Sequence, residues 1–184
     1  MRILHVGPLP QMITHDFSEA DERNGASTIL DLEPFLARAR KAVPVSGEVS
    51  VLLTSDRKIR KLNKEFRGID KATDVLSFSA LAARPRSRNN RSSAEPAIAG
   101  DLAISIDTAQ RQATQFGHTL QIELKILLLH GLLHLAGYDH EADSGEMAAR
   151  EEELRRRFRL PGALIARADL QETHVPAISR GARR

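Results

Sequence analysis

The 184-residue chain contains no cysteine. That excludes disulfides, thiolate nucleophiles and any cysteine-ligated zinc, so a metal held here must take histidine, carboxylate or water. Tryptophan is also absent, tyrosine occurs once, and aromatics make up 4% of the residues. A core must then be filled by Leu, Ile, Val and Ala, and the 41% hydrophobic content is enough to do so. No apolar run reaches the ~18 residues of a membrane-spanning helix. The segment Met1 to Gln11 lacks the basic start, apolar stretch and small-residue cleavage site of a secretion signal. These absences predict a cytoplasmic protein with no membrane partner. Charge of one sign is scarce as well, with 27 Lys and Arg against 24 Asp and Glu. The placement of the basic residues says more than their number. Arg84, Arg86, Arg88 and Arg91 share one short segment, and Arg180, Arg183 and Arg184 close the chain. Clustered arginines suit phosphate contacts, and they suit a solvated loop and tail equally well.

What is present reads as one domain over residues 1–160, followed by a partly ordered tail over 161–184. The pattern predicts an amphipathic helix from Thr28 to Val43, with Pro34 in its first turns or bending it. A half-buried strand follows over Gly47 to Thr54, then a helix capped by Ser55 and stopped by Gly68. Short strands are expected over Asp74 to Ala80 and Gly100 to Ile106, separated by a flexible Arg-, Ser- and Pro-rich loop over 83–98. Asp107 is the expected cap of a helix ending at Gly117. Thr119 to Ala136 is the most apolar segment, too long for one strand, and reads as a central buried helix stopped by Gly137. Glu146 to Phe158 reads as a charged surface helix. The fold class is mixed α/β (α+β), a small mixed sheet against that central helix.

Two histidines interrupt its leucines, in Leu129-His130-Gly131-Leu132-Leu133-His134-Leu135. A spacing of four puts both imidazoles on one helical face, with Cβ atoms about 5–6 Å apart. Past Gly137, the sequence Tyr138-Asp139-His140 can fold back to offer a third nitrogen. A single histidine on an apolar helix is as often a hydrogen-bonded core residue as a ligand. Here three of the chain's seven histidines fall within eleven residues, and burying them without partners would cost about 1–3 kcal/mol each. Three neutral ligands also leave a fourth tetrahedral position for water, the layout of a catalytic zinc site. The spacing is shared with zinc metalloproteases, in which a glutamate after the first histidine is the general base. Gly131 stands there instead, which argues against peptide hydrolysis and is expected to leave room for a bulky substrate. Glu123, seven residues before His130, lies about 10.5 Å away along the helix axis, too far to ligate. It reads best as a solvated or locally paired carboxylate.

The run from His130 to His140 resembles the signature of the YbeY-like bacterial endoribonucleases, the rRNA maturation factors. Two further blocks carry the resemblance, Leu62-Asn63-Lys64-Glu65-Phe66-Arg67 with Asp70 to Phe78, and Gly100-Asp101-Leu102-Ala103-Ile104-Ser105. It spans roughly Glu48 to Glu153. It departs at Ala72 and Ser79, where family members often carry proline. The resemblance implies one zinc ion on His130, His134 and His140, and it places the family's functional arginine at Arg67. It also implies single-strand-directed cleavage of rRNA, with the ribosomal subunit or its proteins as partners and no DNA.

On that basis the zinc would activate water or polarise a phosphoryl oxygen, and Arg67 would brace the charge of the phosphate. A helix-terminal arginine merely favourable to the helix dipole is the plainer reading of Arg67. His134 and Arg67 are the catalytic candidates, and Arg67 and Lys71 the substrate-binding ones. Asp139 is expected to hold an imidazole N–H from behind. Asp74 and Ser77 can line the groove, and no general base stands out. A metallopeptidase-like hydrolase and a ribosome assembly factor with structural zinc remain as alternatives.

Overall fold

A computed structural model of the protein describes residues 4–5, 11–15, 22–80 and 98–161. Residues 83–97 of the expected loop, the tail beyond 161 and both arginine clusters lie outside the described residues.

Among the described residues five strands form one mixed sheet in the order β1-β2-β3-β5-β4. Strands β1 (Leu4–His5) and β2 (Gln11–His15) form an antiparallel pair, and β2 runs parallel to β3 (Glu48–Thr54). Parallel pairing continues from β3 to β5 (Ile98–Ser105), and β4 (Val75–Ser79) closes the edge antiparallel to β5. The helices are α1 (Glu22–Ala42), α2 (Asp56–Arg67), α3 (Ile106–Phe116), α4 (Leu120–Leu135) and α5 (Glu146–Phe158). No helix among the described residues is long and apolar enough to cross a membrane.

Helix α4 is apolar all round because it is enclosed all round. Eleven of its sixteen residues are buried. Leu124, Leu127, Leu128 and Leu132 join one core with Leu32, Phe35 and Leu36 of α1 and with Val51, Leu53, Leu102 and Ile104 of the sheet. Burying each such side chain is worth about 1.5–3 kcal/mol, so this cluster fixes the position of the helix. Thr119 caps it, its hydroxyl accepting from the Ile122 amide at 3.3 Å, and Gly137 turns the chain away at φ 93°.

Several element ends differ from the sequence expectation. Helix α1 starts at Glu22, so Pro34 lies in its interior rather than its first turns. Strand β5 starts at Ile98, inside the expected loop, and stops at Ser105, so Ile106 belongs to α3. Ser105, not Asp107, caps α3, and its hydroxyl accepts from Thr108 N at 3.2 Å. Asp107 instead accepts the Asp56 amide at 2.8 Å, doing at the start of α2 what the Ser55 side chain does not. Asp56 answers by accepting from Ser105 at 2.5 Å and Thr108 at 2.7 Å, so two helix starts cap each other. Those hydrogen bonds, with the ion pair to Arg111, lower the Asp56 carboxyl below its ordinary pKa despite burial.

Gly100 sets the register of the β4–β5 pair. It lies opposite Ser79 at φ 149°, and a Cβ there would stand 2.2 Å from the Phe78 carbonyl oxygen. Only glycine fits that approach.

Candidate metal centre

His130 and His134 project from the last turns of α4, and the turn after it brings His140 back against them. That turn is held by Tyr138 N to Leu133 O at 3.1 Å and by Ala142 and Asp143 amides donating to Asp139 O. The three rings lie 4.8, 5.3 and 5.4 Å apart between centroids. Their ligand nitrogens all fall within 4.8 Å of one another, with His130 Nε2 and His134 Nε2 at 3.1 Å. Tetrahedral zinc with Zn–N near 2.0–2.1 Å requires nitrogens about 3.3–3.4 Å apart, a separation that lies within this range. Among the described residues no fourth histidine or carboxylate joins the group.

The imidazoles are prepared as ligands. His134 Nδ1 lies 3.1 Å from the Tyr138 carbonyl oxygen, which can only accept, so Nδ1 carries the proton and Nε2 keeps its lone pair. Burial first, then the neighbouring His130 and His140, lowers the His134 pKa to about 4. At neutral pH a metal therefore competes with no proton at that nitrogen. Behind His130, the fully buried Glu151 of α5 places Oε2 3.7 Å from Nδ1, and its other oxygen lies 3.8 Å from buried Arg155. Carboxylates in this position orient ligating histidines in metal sites.

The histidines line an open groove of about 730 Å³ together with Arg67, Thr73, Asp74, Ser77 and Ser79. Arg67 arrives there because α2 ends on it. Gly68 takes the left-handed conformation, its amide and that of Ile69 close on Lys64 O and Asn63 O, and Asn63 Nδ2 ties down Lys71 O at 2.8 Å. Asp70, bridged to Arg60 at 2.7 Å and Lys64 at 3.0 Å, braces the same turn. Those two partners hold the Asp70 carboxyl down to about 2.

Other sequence candidates fall differently. Lys71 is exposed and is not among the groove-lining residues. Asp139 does line the groove, but its carboxylate accepts the Glu141 amide at 3.1 Å. The His134 N–H goes instead to the Tyr138 backbone, a partner that no side-chain pattern reveals. Asp74 is engaged by Val75 N and Gln112 Nε2. Glu123 is buried against His118 Nε2, a local pair well removed from the metal groove. Glu151 was missed, since a Glu in a charged helix carries no signal until α5 packs on α4.

Gly131 requires a correction. It does not open space for substrate beside the metal. Its missing side chain faces the sheet, where a Cβ would stand 2.8 Å from Leu102 Cδ2 and 3.3 Å from Ser77 Oγ. The glycine lets α4 press onto β5 and β4, and a glutamate base has no room there.

Three imidazoles and an arginine lining one groove agree with a family comparison. The model described as Endoribonuclease YbeY matches residues 13–159. The chain belongs to the endoribonuclease YbeY family. It is 52% identical over 136 residues to the Endoribonuclease YbeY of Koribacter versatilis, covering 74% of this chain and 81% of that protein. It is 48% identical over 122 residues to that of Nautilia profundicola, covering 65% and 78%. The Helicobacter pylori member is 44% identical over 119 residues, covering 65% and 77%. The YbeY match takes in all three histidines, Arg67, Tyr138 and Glu151.

Proposed function

We propose that this YbeY-family chain is a zinc-dependent endoribonuclease, single-strand directed, acting in rRNA maturation and ribosome biogenesis, with the activity carried by one domain over residues 1–160. The observation that carries the reading is the open triad of imidazoles in a groove that Arg67 also lines.

His130, His134 and His140 would hold the ion, and histidine-only ligation fits zinc. When bound, zinc supplies Lewis acidity, towards a phosphoryl oxygen or a water molecule. The chain's own residues supply the rest. Arg67 donates to a non-bridging phosphate oxygen and is permanently charged, so it stabilises the charge that builds up there during cleavage. Lys71, on the exposed turn beside it, adds a second positive charge for the strand, and Asp139 holds the ligand turn in shape. Glu151 keeps the His130 ring facing the groove.

Purified protein should carry about one equivalent of zinc, as one such site requires. Chelation should abolish cleavage of structured rRNA, and zinc addition should restore it. Cleavage that survives complete chelation would remove the metal from the reaction.

Glu151→Gln tests the support behind the site. Metal affinity should fall about 10–100-fold, the usual effect of losing a carboxylate behind a ligating histidine. The metal-free protein should also melt at lower temperature, because Arg155 loses its charged partner. Unchanged zinc affinity in isothermal titration would restrict Glu151 to its ion pair.

A further inference from the structure

The edge strand β4 has two working sides. Val75, Ser77 and Ser79 line the metal groove, whereas Leu76 and Phe78 face α2 on the opposite face of the sheet. There a second groove of about 420 Å³ runs beneath α2, with Leu52, Leu62, Phe66, Phe78 and Ala103 among its walls. Phe66 is 61% exposed, an unusual state for a phenylalanine on the apolar side of a helix. Its ring stands edge-on to Phe78, with centroids 5.1 Å apart and planes at 66°. Next to Phe66 in sequence is Arg67, which enters the metal groove.

The surroundings are strongly cationic. Between residues 56 and 71 the chain places Arg57, Lys58, Arg60, Lys61, Lys64, Arg67 and Lys71 against Asp56, Glu65 and Asp70. Of these cations only Lys58 is partly covered; the others are exposed. An exposed aromatic ring set in a basic helix is the combination that binds single-stranded nucleic acid, the cations following the backbone and the ring stacking on a base. A protein partner seated on the apolar groove would have to meet the same cations.

We propose that Phe66, propped by Phe78, is a stacking platform for an unpaired RNA base near the scissile phosphate, with the basic side of α2 guiding the strand across β4. This rests on the endoribonuclease reading and adds to it a determinant for unpaired substrate. Side chains 77 and 78 leave opposite faces of the strand about 3.3 Å apart along it. A strand crossing the β4 edge therefore meets the platform directly beside the groove wall.

The chain has no tryptophan, so Phe66→Trp creates a single fluorescent reporter. The probe is a twelve-residue oligouridylate, titrated against zinc-loaded wild type, Phe66→Trp, Phe66→Leu and Phe66→Ala. Phe66→Trp should bind as wild type does, with its emission quenched on addition of RNA. Phe66→Ala and Phe66→Leu should both bind about 5- to 150-fold more weakly, the range for loss of one base–aromatic stack. Their zinc content and circular dichroism should match wild type. Wild-type affinity in Phe66→Ala, or unquenched tryptophan in the bound complex, overturns the platform. Full affinity in Phe66→Leu also overturns it, because apolar area alone would then suffice, as for a protein partner or a segment of this chain. If wild type neither binds nor cuts RNA, the nuclease reading itself fails. If it cuts RNA and the Phe66 variants bind normally, only the platform fails.

Discussion

Replacing His134 with alanine should release the metal and silence cleavage together. His134 supplies one corner of the triad, its Nε2 3.1 Å from His130 Nε2 and its ring about 5 Å from each of the other two. Two remaining histidines cannot hold an ion in a three-ligand open site, so zinc measured by atomic absorption should drop from about one equivalent to background. Cleavage should fall to the level of chelated wild type, because both lose the same Lewis acid. The fold should persist, since His134 is only half-buried and the α4 core is built from the leucines around it. Stoichiometric zinc in a folded His134→Ala protein would mean that the ion sits elsewhere.

Arg67→Glu should do the opposite to the metal and the same to the rate. The side chain is exposed at the end of α2 and belongs to no ligand set, so zinc content should stay at wild-type level. Removing one preorganised donor to developing charge lowers kcat on the order of 10²–10³-fold, and a carboxylate facing the phosphate adds repulsion. Arg67→Lys keeps the charge but loses the planar fork, so partial recovery is expected. Full activity in Arg67→Glu would reduce this arginine to a helix-end charge.

The central helix and the gathering of its histidines were legible because both depend on local rules. The i, i+4 spacing of His130 and His134 fixes their shared face whatever surrounds them, and Gly137 announces the turn that returns His140. Boundaries of α2, α4 and α5 and the end of α3 were also readable within a residue or so, from Gly68, Gly117, Thr119 and the periodicity. Strands β1 and β2 were not. Leu4–His5 is too short to show alternation, and β2 is held by parallel pairing to β3, a contact that no local pattern encodes. Long-range side-chain exchanges were hidden for the same reason. Asp107 capping α2 across 51 residues and Glu151 backing His130 across 21 exist only after packing. Gly131 was noticed for the wrong reason: the sequence shows a missing glutamate, and only the fold shows the leucine that occupies its space.

The lock at Gly100 bears on how the β4–β5 ribbon tolerates change. Its alignment is decided at the end where β4 leads on towards β5, by a backbone so close to Phe78 that no larger residue can slide into the position. The span numbered 81–97 between the two strands therefore need not dictate which residues face each other. A peptide grafted into that span should therefore leave the pairing of Ser79 with Gly100, and the groove wall that Ser79 builds, unchanged.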